Sequence, residues 1–185
     1  MHPIFTLQYG EFTVANALSK KLKNVSVFVP ASSQEKGIDL LLYRNQNNHN
    51  RVITVQVKMS RSYTGIGKKY TNTLWFNRFV PQSNADLFIL TGTYAQFPQS
   101  TDKPSANPCW QDMTLVFTFD EMTTFMEEVR LKKDPSRYDK MFGFGFNSPD
   151  EIYQTRGYSK ERDMSHFLLR VYEKFSVNKD FKGLL

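Results

Sequence analysis

Two strand-like segments joined by a polar turn constrain this chain more than any other feature. Residues 38–43 and 52–59 are largely apolar, and the polar residues 44–51 separate them, which predicts an antiparallel hairpin. Polar residues interrupt both segments: Asp39 in the first, Gln56 and Lys58 in the second. A buried acid or ammonium without a partner is costly, so such residues usually pair, bind a metal or take part in chemistry.

Strand alternation decides which of these side chains share a face. Gln56 and Lys58 are two residues apart, so they point to the same side of the second strand. Pairing across the hairpin can bring Asp39 beside them, but the sequence does not determine the register. The alternative is that Gln56 and Lys58 lie on an exposed sheet face and that Asp39 caps a turn.

A predicted helix over residues 11–23 adds a second acid. Ala15, Leu18 and Leu22 recur at helical spacing on one face, and Glu11, four residues before Ala15, falls on the same face. An amphipathic helix normally places its acids on the opposite side. Glu11 is therefore a candidate functional residue, and the alternative is an acid that favours the helix dipole in the first turn.

The remaining pattern predicts one α/β domain over the 185 residues. Further strands are expected at 25–29, 74–76, 86–91 and 114–118, further helices at 120–131 and from 160 or 164 to 175, polar loops at 60–72 and 94–112, and a strand or aromatic loop at 142–146. We predict a central mixed β-sheet of about five strands flanked by helices, with the core at about 9–131. Residues from about 132 to 185 are predicted to form a helical C-terminal extension.

Composition narrows the class of protein. No segment approaches 18 consecutive apolar residues, so a transmembrane helix is not expected, and the first ten residues lack the pattern of a signal peptide. The single Cys109 allows no internal disulfide, which fits a reducing cytoplasm, and nothing around it favours a catalytic thiol. We therefore expect a cytoplasmic protein without a membrane partner.

The net charge of +6 and the isoelectric point of about 9.3 are compatible with a polyanionic partner. The basic residues are spread along the chain, so charge alone does not identify that partner. One basic loop directly follows the segment that contains Lys58. Its residues Arg61, Lys68 and Lys69 are candidates for contacts to DNA phosphates, and the alternative is an ordinary solvated loop.

The polar set fits the hydrolysis of a phosphodiester bond. That reaction needs an oriented water and a group that neutralises developing charge, and Mg²⁺, for which Mn²⁺ can substitute, meets both needs with oxygen ligands. Glu11 and Asp39 are candidate carboxylate ligands, and the Gln56 side-chain carbonyl and the Val57 main-chain carbonyl are candidate neutral ligands. Lys58 can position the attacking water or offset charge on the phosphate.

The order of these residues resembles the PD-(D/E)xK nuclease superfamily over about residues 9–92. The resemblance implies a restriction-endonuclease-like core in which Asp39 is a metal ligand and Lys58 is the catalytic lysine. Gln56 would occupy the usual acid position, as in the Q-x-K variant of some restriction and repair nucleases, and Glu11 would match the acid on the first helix. The chain departs from the pattern at Ile38, where Pro is usual, and at the neutral Gln56.

The sequence thus predicts a Mg²⁺-dependent endonuclease that cleaves DNA, of restriction, repair or mobile-element type. The C-terminal third is expected to add substrate contacts or a homodimer surface. Two alternatives remain. The first is a catalytically inactive nuclease-fold module that binds nucleic acid or a protein partner, and the second is a structural subunit in which the polar set is incidental.

Overall fold

The computed structural model describes residues 9–30, 36–46, 49–64, 69–96, 109–130, 141–158 and 160–172. The described elements, in chain order, are α1 (Tyr9–Lys21), β1 (Ser26–Phe28), β2 (Leu40–Gln46), β3 (His49–Thr64), β4 (Asn72–Asn77), β5 (Leu87–Gln96), β6 (Cys109–Thr118), α2 (Phe119–Arg130), β7 (Met141–Phe146), β8 (Tyr153–Arg156), β9 (Arg162–Asp163) and a 3-10 helix (Ser165–Phe167). Neither α-helix in these ranges combines the length and the apolar character needed to cross a membrane.

The predicted α/β fold is wrong. The described residues form a nine-stranded sheet in which the β3–β5 pair is parallel and every other named pair is antiparallel. Within these residues, only two α-helices accompany the sheet. The predicted five strands flanked by helices are therefore replaced by a mostly antiparallel architecture.

The predicted helical C-terminal extension is also wrong. Its described part consists of β7, β8, β9 and the short 3-10 helix, which lies where a helix from 160 or 164 was expected. In β7 the side chains of Phe142, Phe144 and Phe146 are fully buried. Because they alternate with Gly143 and Gly145, the segment has the period of a strand and packs one face into the core.

Two apolar clusters lie on opposite faces of β5. Leu87 and Ile89 belong to the cluster under α1, whereas Phe88 and Leu90 belong to the cluster that contains the α2 side chains and β7. Alternate residues of one strand point to opposite faces, so burial of all four makes β5 a central strand. The β3–β5 pairing places the residues of the candidate site beside this strand.

Local interactions explain where α2 begins. The Thr118 N–H donates to Glu121 Oε2 at 2.8 Å, and the Glu121 N–H is 3.3 Å from Thr118 Oγ1. This reciprocal pair is a capping box, which supplies acceptors to backbone N–H groups in the first turn. The helix was expected over 120–131, and the structure shows that it begins at Phe119, directly after Thr118.

Candidate active site

The site forms where β2 separates from β3. The Asp39 N–H donates to the Val55 carbonyl at 2.8 Å, and Leu40 faces Val55 across the pair. The Val57 N–H donates to Asp39 Oδ2 at 2.7 Å. A carboxylate therefore takes the place of a backbone carbonyl at the end of the ladder, and this contact holds the Asp39 side chain against β3.

This register answers the question that the sequence left open. Since Leu40 faces Val55, the preceding Asp39 lies across from Gln56, on the sheet face that alternation also assigns to Lys58. The pairing of β3 with β2 ends at Val55, and its pairing with β4 begins at Ser62, while β5 pairs with β3 over residues 55–61. The stretch of β3 between its β2 and β4 partners carries Gln56 and Lys58, and Asp39 lies across from its start.

Helix α1 brings Glu11 to the same region. Gly10 packs so tightly on β3 that an added Cβ would lie 2.9 Å from the Met59 Cβ, a distance that real Cβ atoms essentially never show. Glu11 follows immediately, in the first turn of α1. Glycine at position 10 therefore allows the close approach that places the Glu11 carboxylate near β3.

Electrostatic coupling links the three charged residues. Partial burial raises the pKa of the Glu11 carboxyl above its usual range, and the negative charge of Asp39 raises this pKa further, whereas the charge of Lys58 lowers it. The three groups are therefore close enough to sense one another. A bound cation would stabilise the two carboxylates that repel each other, and the nearby ammonium already offsets part of that repulsion.

Gln56 supplies a polar atom that lacks a partner among the described residues. Its side chain is only 5% exposed, and its Oε1 accepts no hydrogen bond within the described part of the chain. Buried side-chain oxygens are normally satisfied, so one without a donor calls for an explanation. A cation or an ordered water beside Asp39 would provide it.

These residues fit a hard divalent cation. Mg²⁺ prefers oxygen ligands, accepts one or two carboxylates and retains several waters. Glu11 and Asp39 provide carboxylates, and Gln56 Oε1 provides a neutral oxygen. In a strand the N–H and C=O of one residue point to the same side, so the Val57 carbonyl points to the side on which its N–H meets Asp39. The described residues contain no cluster of three or more His, Cys, Asp or Glu, so neutral oxygens and water would have to complete the coordination.

Lys58 is partly exposed and lies beside an aromatic ring. Its Nζ is 5.7 Å from the centroid of the Phe79 ring, and Phe79 packs against the buried Phe88. This contact restricts the long side chain, and the charge of its ammonium still reaches Glu11. Sequence analysis did not single out Phe79, since nothing in its local pattern connects it with Lys58.

The predicted DNA-binding residues have different surroundings. The loop expected at 60–72 starts later than predicted, because β3 continues to Thr64, and exposed Arg61 therefore lies on a strand. Lys69 forms an ion pair with Glu161 at 2.5 Å. Lys68 lies outside the described residues. Of the two that the structure describes, Arg61 is the residue whose position better suits a phosphate contact.

A further acid near the site has a structural role. Asp86 Oδ2 accepts hydrogen bonds from the Thr54 N–H at 2.7 Å and from the Thr54 hydroxyl at 2.9 Å. These bonds tie the segment before β5 to β3. Asp86 therefore serves as a comparison for Asp39, since each carboxylate accepts from a β3 N–H but only Asp39 is coupled to Glu11.

No protein-family model, curated protein or solved structure matches this chain, so its function has to be argued from the site.

Proposed function

We propose that the protein is a metal-dependent endonuclease that hydrolyses DNA phosphodiester bonds. One observation carries the proposal: the strand register places Gln56, whose buried Oε1 has no hydrogen-bond donor in the described residues, across from Asp39. The Glu11 carboxyl senses the charges of both Asp39 and Lys58. Two acids, a neutral oxygen and a lysine are the groups that this hydrolysis requires.

The acids and the glutamine would hold the metal. Glu11 and Asp39 would provide charged oxygens, and Gln56 and the Val57 carbonyl would provide neutral ones. Bound Mg²⁺, or Mn²⁺ in its place, would supply a Lewis acid for the phosphate and lower the pKa of a coordinated water. The Val57 N–H fixes the orientation of the Asp39 carboxylate in advance, which reduces the reorganisation needed on binding.

Lys58 would act on the reacting groups. An ammonium at this position can orient the attacking water and offset the negative charge that develops on the phosphate.

The arrangement resembles the site of PD-(D/E)xK nucleases, and we propose that the chain belongs to this superfamily. Support for this assignment comes from the order and the placement of Glu11, Asp39, Gln56 and Lys58, and none comes from the mostly antiparallel sheet. A cytoplasmic location and assembly as a homodimer are further parts of the proposal.

A nuclease assay with matched variants tests the proposal. Supercoiled plasmid is incubated with the protein in Mg²⁺, Mn²⁺ or EDTA, and cleavage is expected with either metal and not in EDTA. Asp39→Asn should abolish cleavage, and Lys58→Met should slow it by roughly 10²–10³-fold, as expected for loss of one electrostatic contact in the transition state. Glu127→Gln removes an exposed acid on α2 and should leave the rate unchanged. Equal rates for all four proteins would refute the proposed site.

The neutral Gln56 favours a second candidate function. With an amide where an acid is usual, the same site can bind metal weakly and leave a module that binds nucleic acid or a protein partner without turnover. Retention of DNA by the wild-type protein, with no cleavage in Mg²⁺ or Mn²⁺, would support this candidate over the endonuclease.

A further inference from the structure

A row of alternating cations and aromatic rings lies beside the candidate site. The Arg61 guanidinium is 5.0 Å from the centroid of the Tyr63 ring, and Arg61 Nε donates to the Tyr63 hydroxyl at 3.1 Å. The Tyr63 and Trp75 ring centroids are 5.5 Å apart. The Arg156 guanidinium is 5.3 Å from the Trp75 centroid. These four side chains, in the order Arg61, Tyr63, Trp75 and Arg156, form what we call the cation–ring row.

Backbone pairing fixes this row across four strands. Trp75 on β4 faces Gly143 on β7, and Gly143 faces Arg156 on β8. An added Cβ at Gly143 would lie 2.8 Å from Trp75 Cδ1, so a glycine is required for the indole to lie over β7. The row is therefore held by sheet register and by a specific glycine, which distinguishes it from a chance group of surface side chains.

The row is accessible to a ligand. Arg61 is exposed, and Tyr63, Trp75 and Arg156 are partly exposed. On the opposite face of the same sheet, the side chains of Leu74, Phe142 and Phe144 are buried in the hydrophobic core. One face of this part of the sheet thus builds the core, and the other presents rings and positive charge.

The row also adjoins the candidate site. The Trp75 N–H donates to Ser60 Oγ at 3.0 Å, and Ser60 is two residues after Lys58 on β3. Arg61 follows Lys58 by three residues, which is about 10 Å along a strand. Residues an odd number apart on a strand point to opposite faces, so the row lies near the candidate site along β3 but on the other face of the strand from Lys58.

We propose that the cation–ring row binds unpaired nucleotides of single-stranded DNA. In a single strand, flat bases alternate with phosphates, and the row presents partly exposed aromatic rings between positive charges. Aromatic side chains stack on unpaired bases of any sequence, and arginines neutralise phosphates. In a duplex the base faces are covered by their neighbours, so the two rings would have no comparable partner. That the bound strand is also the substrate rests on the proposed function, whereas binding by the row does not.

The two tryptophans of the chain allow a direct test. Trp110 is 69% exposed on β6, so Trp110→Phe is a mild change that leaves Trp75 as the only indole. This protein is titrated in EDTA with a 12-residue oligothymidylate while its tryptophan fluorescence is recorded. The fluorescence should be quenched on binding. Trp75→Phe, in which only Trp110 reports, should show no quenching, and its melting temperature checks that it is folded.

Affinity measurements separate the rings from the charges. Tyr63→Ala should weaken binding of the oligonucleotide by roughly 5- to 150-fold, which corresponds to the loss of one stacked base. Arg61→Ala should reduce the slope of log affinity against log salt by about 0.7, the value for one contact to a single strand. Lys23→Ala removes an exposed charge after α1 and should leave the slope unchanged.

Three outcomes would overturn the inference. The first is that the oligonucleotide does not quench Trp75 fluorescence. The second is that a 12-base-pair duplex quenches it equally and binds with equal affinity. The third is that polyglutamate quenches it equally, which would assign the row to an acidic protein. Because the titration uses EDTA, it does not depend on cleavage. Binding without nuclease activity would therefore refute the proposed function and leave this inference standing.

Discussion

Replacement of Asp39 by two different residues separates its structural role from its role in metal binding. Asp39→Asn keeps an oxygen that can accept the Val57 N–H, whereas Asp39→Ala removes the acceptor. Both changes remove the negative charge, which by itself relieves the repulsion of Glu11. The two variants should therefore differ in stability without metal and behave alike towards metal.

The structure sets the size of these effects. Loss of the partner of a partly buried N–H costs about 1–3 kcal/mol. For a protein of this length, each kcal/mol changes the melting temperature by roughly 2–4 °C, so Asp39→Ala should melt about 2–12 °C below wild type in EDTA. Asp39→Asn should melt at or slightly above the wild-type temperature. Mn²⁺ at ten times its Kd should stabilise wild type by about 1.4 kcal/mol, or roughly 3–6 °C, and should stabilise neither variant.

The assay is thermal unfolding in EDTA and in a Mn²⁺ series, followed by circular dichroism. Glu127→Gln is the matched control, since it removes a carboxylate on α2 and should retain the full metal-dependent shift. A metal-dependent shift of wild-type size in Asp39→Asn would refute the ligand role of Asp39. Equal melting temperatures of the Asn and Ala variants in EDTA would refute the contribution of the Val57 hydrogen bond.

Three further predictions concern neighbouring residues. The pKa of the Glu11 carboxyl is raised, so the folded protein binds the Glu11 proton more tightly than the unfolded chain does. The free energy of unfolding therefore falls as the pH rises from the usual glutamate range through this raised pKa. Glu11→Gln should therefore raise the melting temperature in EDTA at pH 7 but not at pH 3, and a variant that is less stable than wild type at pH 7 would contradict this. Gln56→Glu should tighten Mn²⁺ binding with cleavage kept or raised, and calorimetric titration with unchanged affinity would exclude Gln56 from the ligands. Asp86→Ala leaves the Thr54 N–H without its acceptor, whereas the Thr54 hydroxyl can still donate to the Asn84 carbonyl, so the change should cost about 1–3 kcal/mol. Thermal scans should still show the full metal-dependent shift, and loss of that shift would place Asp86 in the site.

The hairpin and the first helix could be predicted because their signals are local. Apolar alternation and a polar turn identify β2 and β3, and helical spacing identifies α1, although the bounds of each differ by a few residues from those expected. The same alternation gives the shared face of Gln56 and Lys58. Placement of Glu11 on the buried side of α1 also follows from spacing alone.

The contacts that make these residues a candidate site are not local. Asp39 lies across from Gln56 only because Leu40 pairs with Val55, and other registers satisfy the same alternation. The orphaned Gln56 Oε1 depends on burial of β3 beside β5, more than 25 residues later in the chain. No sequence pattern marked Gly10 as the residue that allows α1 to approach Met59.

The C-terminal third shows most clearly where sequence periodicity stops being informative. Residues 142–146 fitted a strand or a loop, and the core decided for a strand because three phenylalanines fill one face while Gly143 and Gly145 leave room for Trp75 and Tyr70 on the other. Amino-acid spacing determined the local elements and the residues that carry the chemistry. Tertiary structure decided strand partners and register, because pairing depends on which distant faces can be buried together, and this information is absent from any single segment.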